Sequence, residues 1–87
     1  MNQTQVTDIV EELTVMWRLL FPAHIPSPDP KQWALWITMH GQSIVRQSIA
    51  KLALRYARSS DLQTAESVYK FASALMGKLS AERRPAS

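Results

Sequence analysis

The chain has 87 residues, no cysteine and a formal net charge of +3 at pH 7. A chain of this length forms one domain at most, with a thin core, because it buries only about 60–65% of its extended surface. The lack of cysteine excludes disulfides, thiolate metal sites and cysteine catalysis. The N-terminus has no basic start before an apolar run, and no apolar run approaches the ~20 residues that cross a bilayer. We therefore expect a soluble, cytoplasmic protein without a signal peptide or membrane contact.

Charge is distributed unevenly along the chain. Residues 1–30 contain four acids and one base, whereas residues 31–60 contain five bases and no acid. Such an asymmetry favours an anionic partner, or the pairing of one helix with another, either within a molecule or between two copies.

The first predicted element is an amphipathic helix over about residues 5–20. Thr4 or Thr7 can cap its start, and Pro22 disfavours helical geometry at the residue before it. Its apolar side chains recur every three or four residues and share one stripe: Val6, Ile9, Val10, Leu13, Met16, Trp17 and Leu20.

Residues 21–30 contain four of the five prolines and are predicted to be an extended, stiff connector. The alternative is a proline-rich ligand for a partner's aromatic groove, although the segment lacks a PxxP core. Asp29 followed by Pro30 indicates the start of the next helix, with a capping carboxylate and a proline at the first helical position.

Gly41 is predicted to separate two helical segments, over about 30–39 and 43–58. On one continuous helix, Trp33, Ile37 and Ile44 would point in one direction. Val45, Ile49, Leu52 and Tyr56 would point about 100° away from them. One straight helix cannot bury both sets against a single neighbour, and glycine commonly terminates helices. We therefore expect a turn or sharp kink over residues 40–43.

The last predicted helix covers about residues 61–79 and begins with a Ser60–Gln63 capping box. Residues 80–87 have no apolar anchor and are expected to fray. The chain is thus predicted to be all-α, with a single domain over residues 1–79. That domain is a small bundle of four helical segments with a proline-rich connector.

Motifs for catalysis or metal binding are weak. S-x-x-K occurs at Ser48 and Ser67, without the companion motifs of the acyl-transfer enzymes that use it. His24 and His40 lie 16 residues apart, and neither has a partner at a spacing that suits a metal. His40 is expected to be a helix-end residue whose charge suits the helix dipole. We expect no enzymatic activity, no cofactor and no metal site.

A basic row carries the clearest binding signal. Lys51, Arg55 and Arg58 follow the spacing i, i+4, i+7 and therefore lie on one side of the third helical segment. Such a row can contact phosphates or an acidic protein, and it is also common on the solvated face of an amphipathic helix.

The two tryptophans at residues 33 and 36 can serve as core or as a binding surface. Large aromatic side chains usually fill a thin core, but they can also stack on bases or anchor a partner. Trp33 shares a face with Ile37, and Trp36 is rotated away from that face. Trp36 is therefore the one expected to be exposed and is a candidate partner-binding residue.

One series of residues follows a recognisable order: Trp36-Ile37, Gly41, Ile44-Val45, Ile49, Ala53-Leu54 and then Tyr69. This order resembles that of the DnaD-like domain of bacterial and phage primosome proteins. The resemblance covers roughly residues 36–79. It implies a compact helical module of replication initiation or helicase loading, with DNA and protein partners. The family's late motif is Tyr-x-x-x-Ile-x-x-x-Trp. Only Tyr69 matches it, because Ser73 and Gly77 occupy the other two positions.

Two functions follow as hypotheses. The first is a non-enzymatic, nucleic-acid-associated module, a replication-type DNA-binding protein or primosome adaptor. Its candidate nucleic-acid-binding residues are Lys51, Arg55, Arg58 and, from the resemblance, Tyr69. The alternative is a helical protein–protein interaction module that docks on a larger protein or self-associates as a homodimer. In the second case the acidic first helix and the basic third segment could pair between subunits.

Overall fold

Four α-helices form the described part of the chain, which in this computed structural model comprises residues 3–59, 62 and 64–83. They are α1 (Gln3–Leu20), α2 (Pro30–His40), α3 (Gln42–Arg58) and α4 (Ala65–Arg83). No strand occurs in these residues, which confirms the predicted all-α fold. The bounds of the first three helices agree with the predicted ones to within two residues.

The start of α2 and the break after it follow the sequence signals. The Oδ1 atom of Asp29 accepts a hydrogen bond from the backbone N–H of Gln32 at 2.8 Å, and Pro30 is the first helical residue. Gly41 ends α2 by donating its N–H to the Ile37 carbonyl at 2.8 Å. Its own carbonyl accepts the first bond of α3, from the Val45 N–H at 3.1 Å. The predicted helix break at Gly41 is confirmed.

The start of α4 differs from the prediction. Of the predicted capping box, Ser60, Asp61 and Gln63 lie outside the described residues. The helix instead starts at Ala65, where Thr64 Oγ1 accepts from the Ser67 N–H at 3.1 Å and the Ser67 Oγ lies 3.3 Å from the Thr64 N–H. This reciprocal pairing is a capping box with serine in the second position.

The end of α4 also differs from the prediction. The helix continues to Arg83, four residues beyond the predicted end at residue 79. The side chain of Leu79 is buried and anchors the last turns, so residues 80–83 remain helical. Residues 84–87 lie outside the described residues.

One hydrophobic core joins all four helices and the connector. Trp17 is at its centre. Its ring stacks on Phe21 with centroids 4.3 Å apart, meets the Trp33 ring edge to face at 5.9 Å and lies tilted against the Tyr69 ring at 5.8 Å. Leu20, predicted to belong to the buried stripe of α1, is 42% exposed because the chain turns away there. The buried apolar residues are Val10, Leu13, Trp17, Phe21, Ile25, Trp33, Trp36, Ile37, Ile44, Val45, Ile49, Leu52, Leu62, Val68, Ala72, Met76 and Leu79.

The proline-rich connector is packed into this core. Ile25 is buried, and its carbonyl accepts a hydrogen bond from the Trp17 Nε1 at 2.9 Å. The Ile25 N–H donates to the Pro22 carbonyl at 2.9 Å, so residues 22–25 form a turn where an extended segment was predicted. The connector therefore sets how α1 approaches α2.

The arrangement of the helices is flat, with extents of 37 × 33 × 17 Å along its principal axes. α2 contacts each of the other three helices, and α3 packs most extensively against α4. In a flat arrangement most helices have neighbours on one side only. The outward faces of α1 and α3 are therefore exposed to solvent.

Candidate nucleic-acid interface

The predicted basic row lies along one groove of the surface. Lys51, Arg55 and Arg58 are exposed on the last two turns of α3, and with Leu54 and Ser59 they line a shallow groove of about 320 Å³. We call this the α3 groove. The spacing i, i+4, i+7 brings the three cations to one place, as the sequence predicts.

The Arg55 side chain of this groove packs against an aromatic ring. Its Cζ atom lies 5.4 Å from the ring centroid of Phe71 on α4, within the range of a cation–π contact. Arg55 and Arg58 also occupy the last turn of α3, where positive charge complements the helix dipole. The end of α3 is therefore a positively charged surface that the fold itself stabilises.

The fourth basic residue of α3 does not belong to the groove. Arg46 forms a salt bridge with Glu12 of α1. Pairing between the acidic first helix and the basic third segment therefore occurs within the molecule at this position. Because both side chains are substantially exposed, we expect the bridge to add little to stability and mainly to orient α1 against α3.

Tyr69 lies apart from the cations. It is half-buried, and its hydroxyl donates a hydrogen bond to the Pro26 carbonyl of the connector. It is not among the residues that line the α3 groove. Burial, and then the negative charge of Asp29, raise the pKa of the Tyr69 hydroxyl above its ordinary value. The position of Tyr69 suits a role in fixing the connector to α4.

We expect Tyr69→Phe to lower the free energy of unfolding at pH 7 by about 1 kcal/mol, because the Pro26 carbonyl loses its donor. The raised pKa means that the neutral hydroxyl stabilises the fold below pH 10.0 and that this contribution is lost as pH rises above 10.0. The difference between the wild-type chain and Tyr69→Phe should therefore shrink above that pH. Urea unfolding of both proteins at a series of pH values measures it, and a constant difference would contradict this role.

Trp36 is buried, so the prediction that it would be exposed is wrong. Only 3% of its surface is accessible, and its Nε1 donates to the Ser73 Oγ of α4 at 3.2 Å. A helical wheel shows which side chains of α2 share a face, but not how many neighbours the helix has. α2 packs against three helices, and Trp36 lies on the side that contacts Ser73 of α4. Trp36 is therefore unavailable to anchor a partner in this conformation.

The serines and histidines singled out in the sequence have structural positions. Ser48 is buried and its hydroxyl donates to the Ile44 carbonyl at 2.7 Å, while Ser67 caps α4. His24 Nε2 lies 3.4 Å from the Tyr56 hydroxyl. His40 is the last residue of α2, and its buried Nδ1 has no hydrogen-bond partner among the described residues. Within the same residues, no three or more acidic or histidine side chains converge as a metal site would require.

Sequence reasoning missed the large apolar side chains that face solvent. Leu19 is 80% exposed, and the others are more than two-fifths exposed: Val15, Leu20, Leu35, Met39 and Leu54. Most of them lie opposite the buried stripe of their helix. The members of the pairs Val15–Leu19 and Leu35–Met39 are four residues apart and therefore share a helix face. This spacing in the sequence indicates a second apolar face on each helix.

The described residues thus define a small all-α bundle with a cationic groove at the end of its third helix. No family model matches the chain, and no curated protein or solved structure is significantly similar to it. None of the four helices, over the residues described, has the length and apolar character needed to cross a membrane. The resemblance to the DnaD-like domain stays a prediction.

Proposed function

We propose that this chain is a non-enzymatic helical module that binds nucleic acid through the α3 groove, as a replication-type DNA-binding protein or primosome adaptor. The observation that carries the proposal is the convergence of Lys51, Arg55 and Arg58 on one exposed groove. Positive side chains at this density favour phosphate oxygens, and binding gains free energy from the release of counterions.

The length of the row suits a phosphate backbone. Lys51 and Arg58 are seven residues apart, which corresponds to about 10.5 Å along the helix axis. The row is therefore long enough for its cations to contact neighbouring phosphates of a DNA backbone. None of the described residues that line the groove is aromatic, and we therefore expect backbone contacts with little sequence preference.

We expect a labelled oligonucleotide to bind the wild-type chain with log K falling against log salt at a slope of about −2 to −3, which corresponds to three phosphate contacts. Lys51→Glu/Arg58→Glu should weaken binding by roughly tenfold or more at low salt, because two attractive contacts become repulsive. Fluorescence anisotropy at several salt concentrations measures both quantities. Arg55 is left unchanged, since it also packs on Phe71.

The matched control is Lys31→Glu/Lys78→Glu, which reverses two exposed lysines outside the groove. Each reversal lowers the net charge by two, so both double variants change from +3 to −1. The control should bind within about threefold of the wild-type chain, because only long-range attraction is reduced. Absence of binding at low salt, or an equal loss in the control, would contradict binding through the α3 groove.

A second candidate function, protein–protein interaction, is supported by the outward apolar side chains. Leu19, Leu54 and Met39 are each more than half exposed. Single apolar residues on a surface are ordinary, whereas apolar residues spaced along the outer face of a helix favour a docking surface.

A further inference from the structure

Two exposed stripes with the spacing of helix-packing seams run along the outer faces of α1 and α3. The α1 stripe consists of Asp8, Glu12, Val15 and Leu19, at intervals of four, three and four residues, and all four are exposed. The α3 stripe consists of Gln47, Ala50, Leu54 and Ala57, at intervals of three, four and three residues, and these too are exposed. Residues at alternating intervals of three and four lie on one side of a helix, and this spacing is typical of helices that pack against each other.

The charges along the two stripes are opposite. Asp8 and Glu12 belong to the α1 stripe, and Glu11 lies beside it. The α3 stripe is bordered instead by Lys51 and Arg58. Each stripe also has exposed apolar side chains, Val15 and Leu19 in the α1 stripe and Leu54 in the α3 stripe. Apolar contact and charge pairing can therefore act together.

A salt bridge connects the α1 stripe to α3, the helix that carries the other stripe. Glu12 of the α1 stripe pairs with Arg46, which precedes Ala50 of the α3 stripe by one helical turn. Beside this salt bridge is an open groove of about 630 Å³ lined by Asp8, Glu11, Glu12, Val15 and Arg46. Because α1 and α3 are also in contact, the acidic stripe and the stripe bordered by cations belong to neighbouring helices.

A surface with adjacent acidic and basic halves is complementary to itself across a two-fold axis. We propose that its occupant is a second copy of this chain, with the α1 stripe of each subunit on the α3 stripe of the other. Charge complementarity selects this occupant, because each half of the surface supplies what the other half requires. The inference rests on the protein-interaction function proposed above and specifies its partner.

The dimer and nucleic acid use the same cations. Lys51 and Arg58 border the α3 stripe and also line the α3 groove. A subunit whose α3 stripe is covered by the acidic α1 stripe cannot present these two cations to phosphates. We therefore expect oligonucleotide to shift the equilibrium from dimer towards monomer.

The test is sedimentation velocity of the full chain from about 5 to about 500 μM, at low and high salt. We expect a monomer–dimer equilibrium that weakens as salt increases. Asp8→Lys/Glu11→Lys and Lys51→Glu/Arg58→Glu should each be monomeric, and a mixture of the two should recover a heterodimer, because the reversed charges match each other. Glu12 is left unchanged so that its bridge to Arg46 remains.

Lys31→Glu/Lys78→Glu serves as the control and should dimerise like the wild-type chain, since its lysines lie outside both stripes. A wild-type chain that stays monomeric at every concentration overturns the inference, and oligonucleotide binding by that monomer would still support the nucleic-acid function. Dimerisation that persists in both charge-reversed variants but is lost in Leu35→Ser/Met39→Ser also overturns it. That second result would retain the protein-interaction function on the outer face of α2.

Discussion

Replacing Trp17 with alanine is expected to lower the free energy of unfolding by about 3–5 kcal/mol, the largest effect of any single substitution that we predict. Its side chain is fully buried and contacts α2, α4 and the connector through Trp33, Tyr69 and Phe21. Alanine leaves a cavity at this junction and removes the Nε1 donor from the Ile25 carbonyl. A domain of this size has a total stability of roughly 4–13 kcal/mol, so much of it would be lost.

Urea unfolding followed by far-ultraviolet circular dichroism measures this effect. Trp17→Phe retains an aromatic ring and loses only the hydrogen bond and part of the volume, so its effect should be intermediate. Leu19→Ala, at a side chain that is 80% exposed, should change stability by less than about 0.5 kcal/mol. A loss below about 1 kcal/mol for Trp17→Ala would show that the packing of α1 against α2 and α4 does not depend on this residue.

Replacing Gly41 with alanine is expected to destabilise the fold by about 1–3 kcal/mol. Gly41 has φ 86° and ψ 153°, a region of backbone conformation that is essentially restricted to glycine. No atom lies within 4 Å of the position that an added Cβ would occupy, so the cost arises from the backbone alone. Alanine would oppose the turn that ends α2 and begins α3.

The second glycine provides a matched control, for which substitution by alanine is expected to stabilise the fold. Gly77 lies inside α4 and is exposed, and an added Cβ would again meet nothing within 4 Å. Gly77→Ala should therefore raise stability by about 0.5–1 kcal/mol, because alanine has less conformational freedom to lose in the unfolded chain. Thermal unfolding of both variants measures the contrast. A neutral or stabilising Gly41→Ala would mean that the break between α2 and α3 does not require this conformation.

Local signals in the sequence determined most of the secondary structure. These signals come from residues that are close together in the sequence. They are the apolar spacing of α1, the Asp29-Pro30 start of α2 and the change in the direction of the apolar side chains at Gly41. They therefore predict bounds that the structure reproduces closely. The row Lys51, Arg55 and Arg58 is local in the same sense, and its convergence on one groove follows from helical spacing alone.

The burial of individual residues was decided by tertiary structure. A helical wheel states which residues share a face, but not how many neighbours a helix has. α2 has three, and Trp36 is buried for that reason. The Arg46–Glu12 bridge and the contact of Tyr69 with the connector join residues that are 34 and 43 positions apart. Such long-range pairs carry no local pattern, because they depend on how the helices pack against one another.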